Sequence, residues 1–171
     1  MLDLCCGTGA MLDVLRPLAS ELLVGLDFSR GMLAVARKTG LPLVRGNAVA
    51  PPFVEAFDVV TCFSALGHFL PAEHRRLVRA VRGCLRPGGR FLFATAEMPP
   101  RTSSAYWVSR AFNAAMRVRN ALWCPPFVMY YLTFLLPEAK TLLEDAGFEV
   151  AVKDVFPRPY ERYRLVDARR T

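Results

Sequence analysis

Met1-Leu-Asp-Leu-Cys-Cys-Gly-Thr-Gly9 opens the chain with a short apolar strand that runs straight into a glycine turn, and the next apolar run, Leu22-Leu-Val-Gly-Leu-Asp27, ends on a carboxylate. An α/β sheet binds an adenosine-type cofactor with this layout. Gly7 and Gly9 let the backbone turn sharply and approach a ligand closely, and a carboxylate about 20 residues on stands at the second strand's C-terminal end, within reach of ribose hydroxyls. The nicotinamide fingerprint does not fit. It needs G-x-G-x-x-G opening a helix, whereas Gly9 is followed by Ala10-Met-Leu-Asp-Val-Leu15 with no third glycine.

Taken together, Leu2-Asp-Leu-Cys-Cys-Gly-Thr-Gly9 resembles motif I of the class I S-adenosylmethionine-dependent methyltransferases, usually written L-D-x-G-C-G-T-G. Four further blocks follow in order. Val24-Gly-Leu-Asp27-Phe-Ser resembles the segment carrying the ribose-binding acid, Gly46-Asn-Ala48 through Pro52-Phe53 the G-D-A…P-F adenine segment, Phe57-Asp-Val-Val60 the fourth strand, and Leu85-Arg-Pro-Gly-Gly-Arg-Phe-Leu-Phe93 the turn into strand five. The resemblance implies S-adenosyl-L-methionine as cofactor, with contacts from Asp3, Cys5, Gly7, Gly9, Asp27, Phe28, Asn47, Ala48 and Ser64. Asp27 then serves the ribose, Asn47 and Ala48 the adenine, and Asp3 the methionine end.

Three departures from the family pattern shape these expectations. Cys5 stands where the motif has its first glycine, so the turn must carry a Cβ. Asn47 stands where the family has aspartate; its side-chain carbonyl can accept a hydrogen bond from an adenine amino group but brings no charge. The resemblance also implies helices before the first strand that cover the cofactor, and the sequence begins inside that strand.

A chain of 171 residues with an apolar fraction of 53% suits one domain, residues 1–171, with a proper core. The five cysteines include no C-x-x-C pair, which favours buried reduced thiols in a cytoplasmic protein over disulfides or a metal site. Met1-Leu-Asp-Leu also lacks the basic leader and apolar segment of a signal peptide.

Beyond the glycine turn, strands and helices alternate. Ser29 caps a helix through about Lys38 with Met32, Val35 and Ala36 facing inward. Pro42 to Arg45, Phe57 to Phe63 and Arg90 to Ala96 read as strands three, four and five. Pro137-Glu138 opens a helix that Gly147 stops, and Glu149 to Phe156 and Glu161 to Ala168 form a hairpin-like antiparallel edge. The fold class is therefore α/β: a Rossmann-like, seven-stranded, mostly parallel sheet with an antiparallel edge strand and helices on both faces.

Arginine supplies most of the net charge of +7. Arg75, Arg79, Arg82 and Arg86 recur at helical spacing opposite Val78, Val81 and Leu85, a stripe that reads either as a solvated helix face or as a surface for anionic lipid. No basic-plus-aromatic alternation accompanies it, so nucleic acid is not an expected partner. His74 reads as solvated.

Residues 98 to 136 exceed the minimal fold. Ser103 to Leu122 has a helical pattern with Trp107, Ala111, Ala115, Val118 and Leu122 on one side, and residues 121–136 carry no charge. This run is too short for a membrane span and has Pro125-Pro126 at its middle. By resemblance the insertion is a lid over the acceptor, its aromatics pointing to a small apolar, aromatic or lipid-like acceptor; ordinary packing on the sheet is the other reading. Tyr106, Trp107 and Tyr130 are the candidate acceptor contacts.

His68, just after the fourth strand, is the candidate catalytic base, with pocket shaping as its other reading. The expected reaction is O- or C-methylation of that acceptor. Phospholipid N-methylation, with peripheral membrane contact, and a cofactor-binding remnant without activity are the alternatives.

Overall fold

The computed structural model describes residues 1–123, 128–131 and 133–171. Its first strand, β1 (Leu2–Leu4), is buried at all three positions, as a central parallel strand covered on both faces must be. The chain then lays down α1 (Ala10–Leu15), β2 (Val24–Asp27), α2 (Arg30–Ala36) and β3 (Leu43–Arg45) on one side of β1. On the other side lie β4 (Phe57–Cys62), α3 (Pro71–Cys84) and β5 (Leu85–Ala96). Helices α4 (Ser104–Trp123) and α5 (Leu136–Asp145) precede the final hairpin, β6 (Phe148–Lys153) and β7 (Tyr163–Arg170).

Seven strands thus form one sheet in the order β3-β2-β1-β4-β5-β7-β6. The first five are mutually parallel, and β7 runs antiparallel to both β5 and β6, so the antiparallel strand sits one place inside the sheet edge. Strand order reverses between β1 and β4. A crevice opens there beyond the carboxyl ends of the strands, where sheets of this kind bind ligands.

One large core joins the sheet to α3 and α5 through residues such as Leu77, Val81, Phe91, Phe93 and Leu143; a smaller cluster around Leu12, Leu15 and Leu33 packs α1 and α2 on the other side. Ser29 caps α2 as expected, its hydroxyl accepting from the Met32 amide at 3.3 Å. The inward face of that helix differs from the sequence reading. Leu33 and Ala36 are buried, whereas Met32 and Val35 are exposed, because the helix presents only a narrow stripe to the sheet.

The hairpin is clasped from within. Asp167 on β7 is buried and receives Arg90 from β5 and Lys153 from β6, the latter at 2.8 Å, and the Arg90 guanidinium chiefly holds its carboxyl below the usual range.

His74 corrects a second expectation. It lies on the buried face of α3, 1% exposed, with Nδ1 at 2.8 Å from Glu138 of α5 and its ring edge-on to Phe134 at 5.0 Å. The histidine therefore joins α3 to α5. The arginine stripe is also partly taken up by surface pairs within the chain: Arg75 with Asp145 at 3.4 Å and Arg86 with Asp58 at 3.0 Å. Leu85 and Arg86 belong to β5, since α3 ends at Cys84.

Candidate active site

Motif I residues turn over the end of β1. Cys5, Gly7 and Gly9 all have positive φ (61°, 55° and 86°), so the backbone adopts the conformation expected of the glycine turn even where a cysteine must bear it. A Cβ on Gly9 would lie 2.8 Å from the Thr39 methyl, so that position is also fixed by packing against the end of α2. Asp27 holds the turn in place: Oδ2 accepts from the Gly7 amide at 2.9 Å and Oδ1 from the Ser29 amide at 2.8 Å. Each oxygen keeps a further lone pair for a ribose hydroxyl.

Asp3 lies behind this turn and is 2% exposed. Its Oδ1 accepts from the Thr61 hydroxyl at 2.8 Å, while Oδ2 is buried without a hydrogen-bond partner in the protein. Burial, and secondarily the charge of Asp27, push its carboxyl up to about 6 against the pull of the Thr61 hydrogen bond. An orphaned buried carboxylate oxygen is costly unless a cation reaches it. The ammonium of a methionine moiety meets that need, so the residues present fit an adenosyl-amino-acid cofactor.

Asn47 forms an Asx turn, its Oδ1 accepting from the Val49 amide at 3.1 Å beside buried Ala48. One side-chain lone pair is thereby committed and one remains. Phe28 is exposed next to Asp27, with the Arg45 guanidinium 6.0 Å above its ring.

Beyond β4 and β5 lies a cavity of about 940 Å³. Its lining includes Met11, Phe63, Ser64 and His68, the run from Thr95 to Pro100 with Ser103, and Met129 to Tyr131. Ser64 has φ 58°, which turns the chain sharply as it leaves β4. His68 Nδ1 lies 2.6 Å from the Val128 carbonyl. A carbonyl only accepts, so Nδ1 carries the proton in the neutral ring and Nε2 is the basic nitrogen.

Tyr130 seals this corner. Its amide donates to the Gly67 carbonyl at 2.7 Å and its hydroxyl accepts from Asn120 at 2.7 Å; a Cβ on Gly67 would stand 2.8 Å from the Tyr130 carbonyl oxygen. Asn113 of α4 pairs with both backbone groups of Tyr131, and Thr95 donates to the Phe134 carbonyl at 2.7 Å. The end of the insertion is thus tied to β5 through Thr95 and to the turn after β4 through Gly67 and His68, while Asn113 and Asn120 tie α4 to it.

Tyr106 lines a smaller cavity of about 210 Å³ with Arg110, Asn113, Arg117 and Tyr130. Trp107 does not join it. The indole N–H donates to the Arg101 carbonyl at 2.8 Å, and the ring lies 62% exposed on the outward side of α4, edge-on to Tyr106 at 5.3 Å but lining neither cavity. Pro125-Pro126 lie outside the described residues.

The opposite wall is absent from the sequence reading: Phe156, Tyr160, Arg162, Tyr163 and Arg164, with Glu97 at the end of β5. Strand pairing sets Tyr163 opposite Ala96 and Arg164 opposite Thr95. The aromatic and arginine content of the turn was the available signal; only the β5–β7 register turns it toward the cavity.

The four described cysteines are free. Burial raises Cys6 to about 12 and Cys84 to about 11, and Cys62 lies well above the usual thiol range, chiefly through its hydrogen bond with Cys5. Cys6, Cys62 and Cys84 are therefore packing thiols rather than nucleophiles. Among the described residues no group of His, Cys, Asp or Glu could hold a metal ion.

A sheet that reverses order beside a glycine turn, with a carboxylate ending the next strand, defines the α/β proteins that bind nucleoside-type cofactors at a switch point. Residues 1–89 match the family described as "Methyltransferase domain". A demethylmenaquinone methyltransferase from Shouchella clausii is 29% identical over 175 residues, covering 93% of this chain and 72% of the relative. A ubiquinone biosynthesis O-methyltransferase from Stutzerimonas stutzeri is 29% identical over 94% of this chain and 68% of its own length. The fold is shared with a SAM-dependent methyltransferase from Methanosarcina mazei: TM-score 0.74, 18% identity, 99% of this chain and 91% of that one. The chain belongs to the class I S-adenosylmethionine-dependent methyltransferases. It is an enzyme of methyl transfer, and S-adenosylmethionine is its cofactor.

Proposed function

We propose that this enzyme methylates a small, lipid-soluble aromatic acceptor, a quinol or related phenolic ring, at oxygen or carbon. The observation that carries the reading is the cavity beyond β4 and β5. Its walls are largely aromatic and apolar, including Phe63, Met98, Tyr130, Phe156 and Tyr160, with few charges. The relatives named for demethylmenaquinone and ubiquinone biosynthesis support an acceptor of this chemistry.

When bound, the cofactor supplies a methyl group already activated on a sulfonium. Asp3 and Asp27 would then hold its charged and ribose ends beside Ser64, while Phe63 and Tyr130 would orient the acceptor toward the methyl. His68, its Nδ1–H held on the Val128 carbonyl, takes the acceptor proton through Nε2. Residues 98–136 act as the lid that excludes water from the transfer.

Incubating the protein with methyl-deuterated cofactor and a panel of quinols, catechols and phosphatidylethanolamine tests this reading by product mass. A labelled quinol or catechol supports it. Label found only in the phospholipid, or in none of the panel, overturns it.

A further inference from the structure

Helix α4 turns its greasier side away from the protein. None of its side chains is buried, and the apolar stripe at positions 107, 111, 115, 118 and 122 faces outward: Trp107 is 62% exposed, Val118 59% and Leu122 67%. Val108 (68%) widens the stripe and Trp123 (72%) ends it. The half-buried residues are those of the other face, including Tyr106, Phe112, Asn113, Met116 and Asn120. A globular fold buries such a stripe unless something else covers it.

We propose that this face of α4 docks on the surface of an anionic phospholipid bilayer. Charge selects the occupant. Residues 98–136 hold four arginines and no carboxylate, and Arg110 and Arg117 flank the stripe along one side of the helix. A helix with an apolar face and a cationic border seats in the headgroup region, its apolar side chains at the acyl boundary and its arginines on lipid phosphates. Two copies of the chain meeting through this face would bring arginines together with no carboxylate of the segment to pair them. The helix lies on the membrane rather than through it, since no described helix is long and apolar enough to cross. At 20 residues it extends about 30 Å.

The placement has a functional sense. Ser103, Ala105 and Ser109, on or beside the same helix, line the large cavity, so one element touches both bilayer and acceptor space. The inference does not rest on the acceptor's identity, and its test contains no acceptor.

Both tryptophans of the chain are on α4, so intrinsic fluorescence reads this face directly. The full chain is mixed with vesicles of phosphatidylcholine, with or without phosphatidylglycerol, and with bromine-labelled phosphatidylcholine as a contact quencher. Expected are co-sedimentation with the anionic vesicles, a blue shift, bromolipid quenching, and weakening at high salt. The double variant Val118→Glu, Leu122→Glu should lose binding by about tenfold or more, with unchanged circular dichroism, thermal midpoint and cofactor affinity. Absence of co-sedimentation, or equal quenching in wild type and variant, overturns the proposal. So does a blue shift that needs no vesicles and tracks a monomer–dimer equilibrium in sedimentation, which assigns the face to a second copy.

Discussion

Thr61 donates its hydroxyl to Asp3 Oδ1 at 2.8 Å across the β1–β4 pair, and the other oxygen of the Asp3 carboxylate is buried with no partner. One half of this carboxylate is satisfied by the fold and the other half awaits a cation. Stability and cofactor binding therefore place opposite demands on one residue.

The first prediction follows from the sign of that shift. Burial raises Asp3 from 3.8 to about 6, so its contribution to stability is full below the lower value and is lost as pH rises through the upper one. At pH 7.5 the variant Asp3→Asn should melt higher than the wild type without cofactor, and the gap should close on acidification toward pH 4. Cofactor affinity should move the other way. It should be lower in the variant, and in the wild type it should fall below about pH 6 as the carboxylate is protonated. Scanning fluorimetry and calorimetry across pH check both halves.

A second prediction concerns Asp167. Arg90 and Lys153 depress its carboxyl, so its stabilisation is present above the unfolded value and is lost as pH falls through the folded one. Asp167→Asn should cost about 1 to 3 kcal/mol at pH 7, the figure being held down because both cations are about half exposed. Urea unfolding should show the difference shrinking in acid.

Third, His74→Ala should destabilise by about 2 to 4 kcal/mol, because it empties a buried site between α3 and α5 and removes the partner of Glu138. A solvated histidine would give almost no change. Chemical denaturation distinguishes the two.

Fourth, Gly67→Ala should impair turnover while sparing cofactor binding. Its new Cβ would meet the Tyr130 carbonyl oxygen at 2.8 Å and push residues 128–130 off the turn that carries His68. Steady-state kinetics beside calorimetry checks this split.

The glycine turn and its contact with Asp27 were legible in the sequence because they are local. The conformations of Cys5, Gly7 and Gly9, and the reach of Asp27 to the Gly7 amide, follow from a turn and from two strands that pair in sequence order. The acceptor half depends on contacts between residues far apart in the chain. Arg164 faces the cavity only because β7 inserts beside β5, and His74 is buried only because α5 returns against α3 with Glu138. Helical periodicity found the apolar side of α4 but not its direction, since a stripe looks the same whether it meets a core or a different solvent.

On the proposed function, the site divides into a cofactor half on β1 and β2 and an acceptor half walled by Tyr130 and the final hairpin. Calorimetric titration of S-adenosylhomocysteine into Asp27→Ala and Tyr130→Ala proteins tests that division most directly. Loss of the ribose acceptor should weaken binding by about 1.5 to 3 kcal/mol in the first, and the second should bind as the wild type does. Wild-type affinity in Asp27→Ala, or an equal loss in both proteins, would contradict it.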